Sequence, residues 1–244
     1  MRKLLILQMR PEDEAANSEF EAIIRVGNID KEKVDRIRLE QPNIPKVNLD
    51  DYYAIIAGGS PFDVSCLPEY KSNAQLQVEK FFNSLFNKVI EHDFPFLGAC
   101  SGNGLLGNYC GTSISGKYAE PVGSVNVYLT KDGQKDDLLK GLPESFTALV
   151  GHKEACDQVP EGAVLLVTSK TCPVQMFRIK NNIYATQFHP EADGDEFILR
   201  IDIYKNHGYF AVNESERLKA NLKGVKTPET NKILERFVAK YKDY

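Results

Sequence analysis

Phe96-Leu97-Gly98-Ala99-Cys100-Ser101-Gly102-Asn103-Gly104 is the stretch on which the fold turns. An apolar run, Phe94 to Ala99, follows Asp93 and holds Pro95 near its start, as a short buried strand does. Small residues then surround a cysteine, and a Gly-rich segment from Gly102 to Tyr109 reads as a short helix. A chain that passes sharply from strand to helix needs tiny side chains at the bend, because the backbone folds back on itself. Cys100 is thereby expected at the carboxyl end of a strand, where open α/β sheets bind ligands. It also falls at a helix N-terminus, whose partial positive charge favours thiolate over thiol. The blander possibility is an unreactive cysteine in a Gly-rich turn, and this motif alone does not decide between them.

Working outward, strand-like and helix-like segments alternate. Lys3 to Gln8, Val34 to Leu39 and Tyr53 to Ala57 read as strands. Glu12 to Val26 reads as a helix with Ala15, Phe20, Ile23 and Ile24 inward. Ala74 to His92 carries Leu76, Val78, Phe81, Phe82, Leu85 and Val89 at helical spacing. Further strands are expected at 123–129, 163–167, 174–180 and 183–188, with Asn181-Asn182 as the tight turn of a hairpin. After Pro190 the chain turns helical, over 196–206, 214–221 and a last helix behind Thr227 and Pro228. Thr227 is an N-cap candidate, and Ile233, Leu234, Phe237, Val238 and Tyr241 form one apolar stripe expected to dock on the sheet. The fold class is therefore α/β: a mixed, mostly parallel central sheet flanked by helices. The expected organisation is a domain over 1–194 and a helical C-terminal extension, 195–244, packed on it.

The 244 residues suffice for one sizeable core, and 42% hydrophobic with 26% charged residues is ordinary for a globular chain. A net charge of −4 speaks against nucleic acid or an acidic membrane as partner. Leu4 to Leu7 is too short for a signal-peptide core, and no stretch is long enough to span a membrane. The cysteines, Cys66, Cys100, Cys110, Cys156 and Cys172, are odd in number and form no CxxC pair. Free thiols in the cytoplasm are expected, with no metal site, since none of them has ligand spacing with a histidine. His92 and His207 read as solvated or capping residues. No phosphate-binding loop pattern occurs, and no cofactor is expected.

Two further segments carry chemistry. In Gln187-Phe188-His189-Pro190-Glu191, His189 and Glu191 stand two apart, so an extended backbone puts both side chains on one face. A general base needs one ring nitrogen toward the nucleophile and the other held by an acceptor, which the carboxylate supplies. Cys100, His189 and Glu191 are thus a candidate catalytic triad. In Ile55-Ile56-Ala57-Gly58-Gly59-Ser60-Pro61 a strand runs into paired glycines, Gly58 and Gly59. There a backbone N–H can approach a developing oxyanion, and the N–H groups of Gly59 and Ser101 are the expected donors.

The order of Gly-Gly loop, G-x-C-x-G elbow and F-H-P-E resembles the class I glutamine amidotransferases, and within them the amidotransferase part of GMP synthase. The resemblance runs from about Leu4 to Glu191. It implies a flavodoxin-like layout and hydrolysis of the glutamine side-chain amide through a γ-glutamyl thioester on Cys100. It also implies His189 as base and then acid, and a synthetase partner subunit to take the ammonia. Leu149-Val150-Gly151-His152-Lys153-Glu154 resembles the family segment against the substrate's amino-acid head group, with Gly151 where serine is usual, so Gly151 and His152 become candidate binding residues. The family's usual glutamine after the elbow is replaced by Gly104, which cannot make that substrate contact. A γ-glutamyl peptidase or hydrolase with the same triad is therefore an alternative, and a non-catalytic regulatory domain is a second one.

Overall fold

The computed structural model describes residues 2–242; residue 1 of the expected domain and residues 243–244 of the expected extension lie outside that range. The strands are β1 (Lys3–Gln8), β2 (Val34–Arg38), β3 (Tyr52–Ala57), β4 (Phe96–Ala99), β5 (Ile114–Ser115), β6 (Glu120–Leu129), β7 (Ser145–His152), β8 (Ala155–Cys156), β9 (Ala163–Ser169), β10 (Met176–Ile179) and β11 (Ile183–Thr186). The helices are α1 (Asp13–Gly27), α2 (Asn73–Glu91), α3 (Ser101–Tyr109), α4 (Gly194–Tyr204), α5 (Ser215–Leu222) and α6 (Pro228–Tyr241). Nine strands form one sheet in the order β2-β1-β3-β4-β11-β10-β9-β6-β7, and β5 pairs with β8. The run from β2 to β11 is parallel, and the rest of the sheet is added by antiparallel pairing. Strands at the centre of such a sheet are covered on both faces, which is why β1 and β3 are apolar at successive positions instead of alternating.

The pleat sorts the core into two layers. Leu4 and Ile6 point with Ala54, Ile56, Leu97 and Tyr184 toward α1 and α6, where Ile23, Ile24, Ile233, Leu234 and Phe237 meet them. Leu5 and Leu7 point with Ile55, Phe96 and Ile183 toward α2 and α3, where Val78, Phe82, Phe86, Leu105 and Leu106 meet them. A smaller cluster packs α4 and α5 through Phe197, Ile201 and Leu222 against Leu149 and Ala192.

Several local expectations change in detail. Leu76 belongs to the apolar spacing of α2 but is 40% exposed, and Phe20 is only half-buried. The β10–β11 connection has three residues, not two, because Ile179 pairs with Ile183. Lys180 takes the left-handed conformation (φ 50°), and Asp93 accepts from the backbone N–H groups of Asn181 and Asn182. Thr227 stands at the N-cap of α6, yet its hydroxyl donates to Ala192 O at 2.9 Å instead of capping the helix. The strand β7, Ser145–His152, has no counterpart among the expected strands.

Candidate active site

Three neighbouring parallel strands bring the chemistry together. Ala57 pairs with Gly98 across β3 and β4, and Ala99 pairs with Thr186 across β4 and β11. The residues that leave these strands, Gly58-Gly59, Cys100 and Gln187 to Glu191, therefore emerge side by side at the carboxyl edge of the sheet. Cys100 N–H donates to Thr186 O at 2.8 Å, tying the elbow to the strand that leads to His189. His189 N–H in turn donates to Leu149 O at 3.1 Å.

The elbow is as tight as its composition requires. A Cβ on Gly98 would lie 2.8 Å from the carbonyl of Gly102, and one on Gly102 would lie 3.2 Å from Ala57 O. Cys100 itself has φ 53° and ψ −101°, a conformation that costs a non-glycine residue about 1–3 kcal/mol and is held by the packing around it.

His189 and Glu191 are both buried, and His189 Nδ1 lies 2.8 Å from Glu191 Oε1. With the carboxylate accepting, Nδ1 carries the proton and Nε2 is left unprotonated. Arg200 Nη1 lies 3.0 Å from the same Nδ1, a close approach in which neither nitrogen can accept while Nδ1 holds its proton. Burial and the guanidinium of Arg200 lower the His189 pKa, against the opposing pull of Glu191. The Glu191 carboxyl is held far below the usual carboxylate range by His189 and Arg200, which outweigh its desolvation. Burial pushes the Cys100 thiol up to about 11, although Arg10, Arg200 and the Ser101 backbone N–H pull it down. Loss of water thus works against the expected helix-dipole stabilisation of a resting thiolate and favours the thiol.

The other expected residues occupy mixed positions. Ser101 follows Cys100, and its hydroxyl accepts from Ser60 N–H at 3.0 Å. The Gly59 N–H is already spent: it donates to Glu19 Oε1 at 3.1 Å, so in this conformation it is not offered to an oxyanion. The reason is a carboxylate the sequence did not flag. Glu19 is fully buried and also accepts from Arg10 and Gln8. Gly58 has that same carboxylate where its Cβ would stand, at 2.3 Å. Gly151 and His152 sit at the cavity beside Cys100, but both ring nitrogens of His152 are engaged, with Glu120 Oε2 at 2.9 Å and Glu154 O at 3.0 Å. His152, Glu120 and Cys172 also bring potential metal-ligand atoms within 4.8 Å of one another, a proximity no sequence spacing announced. Glu120 already accepts from Gln175 and Thr171 as well as meeting His152. At Gly104 a Cβ would touch only Val64, at 3.6 Å, so the missing side chain leaves room.

Cys100 borders two small cavities. One is walled by Asp63, Ser101, Gly104, Lys153 and Gln187, with Lys153 Nζ 2.7 Å from Asp63 Oδ2 and Gln187 Oε1 buried without a partner. The other is walled by His189, Arg10, Arg200 and the aromatic residues Phe197, Tyr204 and Tyr209. The residues from α4 onward lie past the recognisable motifs. Their readable signal was Arg200, a charge inside the apolar stripe Phe197, Ile201, Tyr204 of α4.

The family model described as class-I glutamine amidotransferase matches residues 31–202. A GMP synthase [glutamine-hydrolyzing] subunit of Methanocaldococcus jannaschii is 31% identical over 141 residues, 54% of this chain and 73% of that one. Its counterpart of the same name from Methanococcus maripaludis is 32% identical over 112 residues, 46% of this chain and 58% of that relative's length. Among solved structures, a glutamine amidotransferase from Thermotoga maritima superposes with a TM-score of 0.68 at 21% identity, covering 98% of this chain and 99% of that one. One from Methylobacillus flagellatus gives 0.72 at 16% identity, covering 100% and 95%. These likenesses carry the fold, a mostly parallel sheet between helices, and the family match spans the elbow and the F-H-P-E segment alike: the chain belongs to the class-I glutamine amidotransferases, cysteine-dependent enzymes.

Proposed function

We propose that this enzyme hydrolyses the side-chain amide of glutamine to glutamate and ammonia through a thioester on Cys100. The observation that carries the reading is the buried His189–Glu191 contact of 2.8 Å, one strand away from the cysteine. His189 Nε2 takes the thiol proton as Cys100 Sγ bonds the amide carbon, since a thiol raised to about 11 does not ionise beforehand. The developing oxyanion is met by the Ser101 N–H, and by the Gly59 N–H once it leaves Glu19. The C–N bond breaks as the imidazolium protonates the leaving nitrogen. His189 then deprotonates a water, which displaces the sulfur and releases glutamate.

The amino-acid head group belongs in the cavity with Asp63, Lys153 and Gln187, opposite charges and a free acceptor that suit a zwitterion. Gly151 and His152 serve there as wall. Ammonia passes to a separate synthetase partner, and the relatives named as subunits of GMP synthase support that reading. In this reading residues 1–194 are the amidotransferase-like domain and 195–244 its C-terminal extension, whose α4 and following loop help wall the site. The site is cytoplasmic; among the described residues no helix is long and apolar enough to cross a membrane.

Incubation with glutamine, assayed for glutamate and ammonia and by mass spectrometry of the peptide holding Cys100, tests this. Wild-type protein should release both products and carry a γ-glutamyl adduct on Cys100, and Cys100→Ala should do neither. Glutamine turnover that survives in Cys100→Ala would refute the mechanism.

A further inference from the structure

The two cavities at Cys100 are chemically unlike, and the reaction assigns them different halves of the substrate. Cys100 borders both, but His189 lines only the one that holds Arg10 and Arg200. The acid that protonates the leaving nitrogen must touch that nitrogen, so whatever is attached to it extends into the His189 cavity. Ammonia carries nothing further and would need no such recess.

The recess is furnished for an anion. Arg10 is 4% exposed and Arg200 6%, burial that is rare for arginine without a dedicated partner. Each has a carboxylate behind it: Arg10 Nε donates to Glu19 at 2.8 Å, and Arg200 Nη2 to Glu191 at 2.9 Å. Each also keeps donors that these bonds do not use. Arg200 Nε is buried with no partner. Arg10 Nη1 is taken by the Tyr204 hydroxyl, but Nη2 has no partner among the described residues. Arg10 Nη2 and His189 Cε1 lie 2.6 and 2.9 Å from the same point, where a Cβ on Gly59 would be, so that donor sits beside the catalytic imidazole. Both guanidiniums are near enough to Cys100 to act on its thiol. Because Glu19 and Glu191 already balance the two cations, the recess offers directed N–H groups and not a strong net field. That suits one carboxylate better than a phosphate. Phe197, Ile201, Tyr209 and Phe210 supply apolar wall for a side chain next to it.

We infer that the Arg10–Arg200 recess is a leaving-group subsite for an amino acid or peptide carboxylate, so that γ-glutamyl amino acids are substrates of this site. The inference rests on the Cys100 hydrolysis proposed above. Cys100 Sγ bonds the γ-carbon, the C–N bond to the amino acid breaks, and its nitrogen leaves with the proton from His189. Water then cleaves the thioester, so γ-glutamyl amino acid and water give glutamate and the free amino acid.

The test compares γ-glutamylglycine with γ-glutamylglycinamide, which differ only in that carboxylate, with glutamine as reference, on the full chain. The wild type should favour the acid by about tenfold or more in kcat/KM, the span expected for a charge-assisted hydrogen bond. In Arg10→Lys or Arg200→Lys the single ammonium is spent on Glu19 or Glu191. The acid-to-amide ratio should then fall to within about threefold of unity. The ratio is internal to each variant, so a general loss of activity or stability leaves it readable; wild type alone decides if neither variant folds. Equal rates on acid and amide, or turnover of glutamine alone, would overturn the subsite while leaving the hydrolysis standing. Failure to hydrolyse any of the three, with no adduct on Cys100, would remove both.

Discussion

At the scale of single residues, burial decides how the site works. The imidazole and carboxylate are buried and the thiol is half-buried, and loss of water pushes the cysteine up and the histidine down, which favours a neutral thiol and a neutral base. In the proposed mechanism only neutral His189 can take the thiol proton. Activity therefore falls as pH drops through the His189 pKa, and that pKa lies below the ordinary 6.5. We expect kcat/KM for glutamine to be flat between about pH 7 and 8, with its acid half-point under 6.5. Arg200→Gln removes a cation that opposes imidazolium formation, so its acid limb should move to higher pH; a pH–rate profile of both proteins measures this. Cys100, His189 and Glu191, the proposed nucleophile, base and orienting acid, stood out in the sequence because each stands in a short local pattern. Arg10 and Glu19 did not, and Arg200 showed only as a charge within an apolar stripe: each matters through what it faces, and they come from three separate segments. Gly59 shows the same limit, since its N–H was rightly located after a strand but is claimed by a carboxylate 40 residues away.

At the scale of elements, the β4–α3 elbow depends on two backbones touching. Gly98→Ala would set a methyl 2.8 Å from the Gly102 carbonyl carbon and oxygen, with no flexible side chain to give way. The strain should cost about 1–3 kcal/mol, lowering the melting temperature by roughly 2–12 °C, and should displace Cys100 enough to depress kcat. Gly104→Ala, within α3, meets only Val64 at 3.6 Å and should be neutral or slightly stabilising. Thermal melts of the pair separate close approach from mere helix propensity. The elements themselves were mostly readable, because helical and extended segments imprint different apolar periods. β7 escaped although Phe146, Ala148 and Val150 alternate into the main core, because Leu149 on its other face is also buried, under α4 and α5, which blurs the two-residue period. The hairpin loop is one residue longer than its sequence suggests because Asp93, on a distant loop, fixes Asn181 and Asn182.

At the scale of the molecule, the last helix completes the core. Phe237 is fully buried, in edge contact with Tyr184 of β11 and Tyr241, ring centroids 6.3 and 5.1 Å away. Phe237→Ala should destabilise the chain by about 3–5 kcal/mol, read as a shift of the denaturant midpoint. Activity per folded molecule should persist, since this contact lies within the core and away from the cavities at Cys100. The apolar stripe that docks α6 was visible in the sequence; that α4 and the loop after it wall the site was not. By itself the sequence determined which segments are strand or helix and where a strained cysteine must stand, because periodicity and side-chain size act over a few residues. Only the tertiary structure decided that two arginines share a recess with His189, and that a buried glutamate holds the glycine loop. Those are meetings across the fold, fixed by strand order and by the need of every buried charge for a partner.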